Sequence, residues 1–223
     1  MNEVHSRIES ALTFSSRGSR AFSLLELLIV ISIIVIMASL MGPALNSALR
    51  GTALTQATDK VIGVLSLAHQ TAITKAQTVE VRLYSYVNPE TPGDTGQGHA
   101  IQAFSVDDNG KATPLMKAQI LPNTVIMATN STLSTLMGQN NSTAPASYAI
   151  PRVSNTYSCA SFQYYRSGST SLASSSLATN VWGITLVSMN DMMGANASTL
   201  PTNYATVVID AYNGSIKTYR PQL

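Results

Sequence analysis

From Phe22 to Met41 the chain reads FSLLELLIVISIIVIMASLM, an apolar run interrupted by one carboxylate, Glu26. At helical rise such a run reaches about 30 Å, the thickness of the hydrocarbon core of a bilayer. The sequence therefore predicts a membrane-spanning helix over residues 22–41. An acid inside that helix costs roughly 3 kcal/mol or more, so Glu26 needs a reason and a partner. A cleaved secretory signal fits poorly, because its apolar core would be shorter and would end in a small-x-small cut. An ordinary signal anchor would place Glu26 at the headgroup level and leave it without a role. Arg7, Arg17 and Arg20 precede the run, which keeps the N-terminus cytoplasmic and sends the C-terminus outward.

The residues around the start of the run form a recognisable pattern. Ala21 is followed by Phe22, Ser23 and, at the fifth position counted from Phe22, Glu26, then Leu27 and Leu28. This resembles the cleavage and methylation signal of type IV prepilins and type II secretion pseudopilins. The resemblance implies a leader of residues 1–21, cut by a prepilin peptidase between Ala21 and Phe22, with methylation of the new Phe22 amine. It also implies an assembly role for Glu26, whose carboxylate would pair with the Phe22 ammonium of a neighbouring pilin or pseudopilin subunit. Pro43, behind Gly42, stands where the family often has a proline. The departure is Ala21, because the family usually has Gly before the cut, and the nearest glycine is Gly18.

Beyond the apolar run a helical pattern persists but becomes amphipathic. Leu45, Leu49, Ala53, Ala57, Val61, Val64, Leu65, Ala68 and Ala72 recur at spacings of three and four, with Arg50, Gln56, Asp59, Lys60 and Gln70 between them. A helix over 22–77 follows, with a kink or local melting at Gly42 and Pro43. From residue 78 the pattern turns to strands: Val79 to Tyr84, Ala100 to Val106, Val125 to Met127, Ser161 to Tyr165, Val181 to Val187 and Tyr204 to Ala211. Loops rich in Pro, Gly, Ser, Thr and Asn separate them over 88–98, 129–147 and 167–180. The expected fold is α+β and pilin-like, a long N-terminal helix packed by its second half on a periplasmic antiparallel β-domain of residues 78–223.

Asn213-Gly214 between two strand-like runs predicts a two-residue type I′ hairpin. That turn pairs Ala211 with Ile216, Asp210 with Lys217 and Tyr212 with Ser215. Val207, Ile209, Ala211 and Ile216 then face the core. The stretch from Phe162 to Ser169, a strand, and this hairpin resemble the C-terminal region of H-type minor pseudopilins and FimT-like proteins. The low charge and polar loops are also similar to a prepilin-type group of Verrucomicrobia-like bacteria.

Charge and chemistry narrow the function. Without residues 1–21 the chain keeps ten Lys and Arg against nine Asp and Glu, so it is nearly neutral and carries no bulk attraction for nucleic acid. A DNA-capturing pilin, the main alternative, would need clustered cations, for which Lys217 and Arg220 are the candidates, with Arg152 and Arg166 further off. Cys159 is alone and reads as a small buried hydrophobe or, less readily, an intermolecular bridge. His5, His69 and His99 show no metal spacing with another His, Cys or acid, and Asp107-Asp108-Asn109-Gly110 reads as a tight turn rather than a cation loop. No nucleophile elbow or phosphate loop occurs, so neither catalysis nor a cofactor or metal is expected. The resulting reading is a minor pseudopilin-like structural subunit in the inner membrane, whose partners are the peptidase, fellow subunits and lipid. A plain single-pass anchored envelope protein is the remaining alternative.

Overall fold

In the computed structural model of the chain, residues 23–137, 157–174, 181–192 and 201–221 are described, the side chains of 40–47 and 181 excepted. The chain divides into two compact units, Met1–Leu45 and Asn46–Leu223. Ala21 and Phe22 lie outside the described residues.

Helix α1 spans Leu24–Thr74. Ser23 starts it as an N-cap, its Oγ accepting the Glu26 backbone N–H at 3.1 Å. Ser23 and Glu26 thereby stand at the S-x-x-E spacing of a capping box. The helix ends three residues short of the expected 77. Ala76 takes a left-handed φ of 47° and the Gln77 N–H turns back to the Ala72 carbonyl at 3.2 Å, which closes the last turn. Between these ends α1 is helical through Gly42 and Pro43, so the helix does not melt there, although the proline removes one ladder bond.

In the first unit every described apolar side chain of α1 is exposed, from Leu24 at 83% to Met37 at 62%. Among the described residues no helix is long and apolar enough to cross a membrane.

The second unit is an antiparallel sheet packed on the later part of α1. Its strands are β1 Thr78–Ser85, β2 Gly98–Val106, β3 Ala112–Pro114, β4 Gln119–Ile120, β5 Val125–Met127, β6 Ser158–Tyr164, β7 Val181–Ser188, β8 Tyr204–Asp210 and β9 Ile216–Tyr219. The order across the sheet is β6-β1-β2-β5-β7-β8-β9, with β3 and β4 also pairing with β2. A one-turn helix, α2, spans Met189–Met192. The short strands β3 and β4 carry no period-2 signal long enough to register in sequence. Leu54, Ala57, Val61, Val64, Leu65, Ala68 and Ala72 of α1 are buried against Val79, Val81, Leu83, Ile101, Phe162, Ile184, Val207 and Ile209. The alanines let the helix lie close to the sheet. The apolar stripe begins at Leu54: Leu49, expected in it, is 59% exposed.

Two other sequence expectations change. Part of the stretch expected as open loop over 129–147 is packed, since Ser134 and Leu136 are buried, Ser134 Oγ accepts the Thr185 N–H at 2.9 Å and the Leu136 N–H reaches the Gly183 carbonyl. The β8–β9 register also differs. Ile209 pairs with Ile216 and Val208 with Lys217, so Asp210 and Lys217 do not face each other. Only Gly214 of the turn has positive φ, 69°, whereas a type I′ turn requires it at Asn213 as well. The reason is the Asp210 carboxylate, which accepts the Tyr212 and Asn213 N–H groups at 2.9 and 3.2 Å and stabilises a wider loop over Ala211 to Gly214. The slip is two residues, so side-chain parity is kept and Val207, Ile209 and Ala211 are buried as expected.

Candidate functional site

The chemistry expected of this chain lies at its N-terminus, where α1 begins. Glu26 sits in the first turn, its backbone tied to Ser23, its carboxylate one turn from the helix start. Negative charge is favoured there by the helix dipole. Ser32 and Ser39 return their hydroxyls to the Leu28 and Ile36 carbonyls, at 2.8 and 2.7 Å, so neither exposes an unsatisfied donor on the apolar surface. Around Glu26, Leu24, Leu25, Leu27 and Leu28 are all more than half exposed. A helix apolar on all sides is stable only when lipid or other helices surround it. Among the described residues of the first unit, Glu26 carries the one charged side chain.

The β-domain holds polar clusters that the sequence did not announce. His99, at the head of β2, is 2% exposed and its Nε2 lies 2.7 Å from Asp94 Oδ2. The Asp94 carboxylate also accepts the backbone N–H groups of Asn88, Gly96 and Gln97. Burial alone would raise the Asp94 pKa, but the Asn88 N–H and the facing His99 outweigh it and hold the carboxyl below its ordinary range. The pair therefore clasps the loop over 86–97 to the sheet. Tyr86 lies against the His99 ring at 5.0 Å. Five residues separate Asp94 from His99 in a glycine-rich stretch, a spacing that signals nothing by itself.

Arg82 is a second case. It is 5% exposed, bidentate to Glu80 at 2.7 and 3.2 Å, and its guanidinium carbon stands 4.2 Å from the centre of the Phe104 ring. Burial opposes the Arg82 charge, and the hydrogen bond and charge of Glu80 overcome it and raise the pKa. Glu80 and Arg82 alternate with the core residues Val79, Val81 and Leu83 in sequence, so they share the sheet face turned away from α1. Among the described residues no group of three His, Cys, Asp or Glu side chains converges as a metal site.

Residues 16–42 match the family described as "Prokaryotic N-terminal methylation motif". The chain carries this motif near its N-terminus. The match covers Ala21, Phe22 and Glu26 together with Gly42, and so includes both sides of the expected cut. Among solved structures, the minor pseudopilin EpsH from the type 2 secretion system of Vibrio cholerae aligns with 76% of this chain and 98% of its own, at 11% identity and a TM-score of 0.42. No curated protein matches the chain.

The remaining candidates of the chain are distributed as follows. Lys217 lies on β9 opposite Val208, whereas Arg220, just past the strand, turns to α1 and donates from Nη1 to Thr55 Oγ1 at 3.1 Å. Arg220 is thus engaged with α1, while Lys217 lies on β9. Arg166 stands 3.8 Å from Asp108, both side chains open to solvent, and Arg152 is outside the described residues. Cys159 is buried on β6, and burial pushes its thiol up to about 12. Asp107 Oδ1 accepts the Asn109 and Lys111 N–H groups, at 3.1 and 2.7 Å, in a tight turn closed by Gly110.

Proposed function

We propose that this chain is a minor pseudopilin-like structural subunit of a type II secretion or type IV pilus-like filament. The observation that carries the reading is the methylation motif over 16–42, joined to an apolar helix whose side chains are exposed on every side with Glu26 in its first turn. A prepilin peptidase cuts between Ala21 and Phe22 and the new Phe22 amine is methylated. Residues 22–41 then anchor the subunit in the inner membrane, with the β-domain in the periplasm and Gly42-Pro43 as a bending point of α1. Moving from lipid into a filament exchanges one apolar neighbour for another, so packing and polar contacts set the association. Within that apolar surrounding, Glu26 meeting a neighbour's Phe22 ammonium neutralises two costly charges and fixes axial register.

Capture of DNA is the weaker reading, because the chain without residues 1–21 is nearly neutral and Arg220 is engaged with Thr55 on α1. The deciding experiment is the N-terminal residue of the protein from its native membrane, read by intact mass and peptide mass spectrometry, with a peptidase-deficient strain in parallel. Methylated Phe22, lost in the deficient strain, is the expected result. Met1 at the terminus in both strains would overturn the reading in favour of a plain anchored protein.

A further inference from the structure

A cleft of about 500 Å3 in the β-domain is lined by two arginines from opposite ends of the chain, Arg50 on α1 and Arg220 beyond β9. The same cleft holds Thr55, Asp191, Asn203 and Tyr204. The single acid among the lining residues is Asp191, and its hold on Arg50 is loose: Nη1 to Oδ1 is 3.8 Å, with the Arg50 side chain 46% exposed. Ion pairs of that length and exposure contribute little. Arg220 is positioned by the Thr55 hydroxyl, which takes one of its five donors. Among the described residues, two arginines thus line a cleft with one carboxylate, that of Asp191, alongside Tyr204 and Asn203.

We propose that this cleft is a phosphate-binding site formed by Arg50 and Arg220. A guanidinium presents paired N–H donors at the spacing of two oxygens of an oxyanion, and a phosphate can accept two such forks at once, whereas a carboxylate is satisfied by one. The Tyr204 and Asn203 side chains add neutral donors of the kind that complete such a site. Phosphate of this chemistry has two sources, the headgroup of an anionic phospholipid and free inorganic phosphate. Arg50 follows Met41 by nine residues in sequence. The lipid source rests on the membrane anchorage of residues 22–41 proposed above, whereas the free-phosphate source does not.

The test uses the full-length chain in neutral detergent micelles, with thermal unfolding followed at constant ionic strength. Sodium phosphate replaces sodium chloride in one arm, and phosphatidylglycerol replaces phosphatidylcholine in the other. A concentration-dependent rise in Tm with either ligand is expected, with the apparent Kd raised at least tenfold in R50Q/R220Q. A rise with phosphate alone assigns the site to free phosphate, and a rise with phosphatidylglycerol assigns it to lipid. No rise in either arm, or a rise retained in R50Q/R220Q, overturns the site. Should that variant fail to unfold cooperatively, R50K/R220K keeps the charge and removes the forks; affinity equal to that of the unaltered chain would then overturn the proposal. Membrane fractionation of the expressing cells, before detergent is added, shows separately whether residues 22–41 anchor the chain, so loss of anchorage and loss of the site are distinguishable.

Discussion

Gly214 rests against His69. A Cβ added to Gly214 would come within 2.8 Å of the His69 ring and 2.5 Å of the Gly168 carbonyl oxygen. Three separate segments meet here: α1 at His69, the turn after β6 at Gly168, and the β8–β9 loop at Gly214. The Thr170 N–H and hydroxyl also reach the Ala211 carbonyl, at 3.1 and 2.8 Å, which ties the end of β6 to the end of β8 above the helix.

Gly214→Val should therefore be costly for two reasons. A left-handed φ costs a side-chain-bearing residue about 1–2 kcal/mol, and forcing atoms into the contact with His69 and Gly168 adds about 1–3 kcal/mol. Gly110→Ala is the control, because Gly110 has a φ of 79° but nothing within 4 Å of an added Cβ. It should lose about 1 kcal/mol from backbone strain alone. Denaturant midpoints of the two variants check this, and equal losses would remove the Gly214–His69 contact from the account.

The Asp94–His99 clasp predicts acid sensitivity. The Asp94 pKa is depressed in the folded chain, so its contribution is fully present above the ordinary carboxylate pKa of about 4 and is lost as pH falls through the lower folded value. Asp94→Asn should cost about 2–3 kcal/mol at neutral pH, as expected for losing charged hydrogen bonds in a buried site. It should also flatten stability against pH below about 4. A variant whose acid unfolding profile overlays that of the unaltered chain would contradict the clasp.

Glu26→Ala should leave membrane insertion intact and abolish incorporation into filaments. Removing an intramembrane acid favours insertion by roughly 3 kcal/mol, while the contact with a neighbour's Phe22 amine disappears. Fractionation and co-purification with filament subunits measure the two effects separately. Normal co-purification of the variant would sink the role assigned to Glu26.

Cys159 should be inert. Its thiol is buried and pushed up to about 12, so the reactive thiolate is scarce at neutral pH. Alkylation of the folded chain should be slow at pH 8 and become rapid in denaturant. A disulfide-linked dimer under mild oxidation of the folded chain would show the intermolecular role instead.

The sequence alone determined what short-range pattern can encode. The run from Phe22 to Met41, the three-to-four spacing of Ala57, Val61, Val64 and Ala68, and the alternation of Val79, Val81 and Leu83 each follow from a pattern read over a few residues. The expected cut at Ala21-Phe22 likewise rests on local sequence, and the family match over 16–42 covers it. Tertiary structure decided whatever required distant groups to meet. The Asp210 carboxylate replaced the expected two-residue turn because its oxygen reaches two loop N–H groups, an option that the Asn-Gly signal does not contain. Whether Leu49 or Leu54 opens the buried stripe depended on where the sheet begins to cover α1. Asp94 found His99, and Arg50 and Arg220 came to line one cleft, because strand pairing fixes distances that sequence separation leaves free.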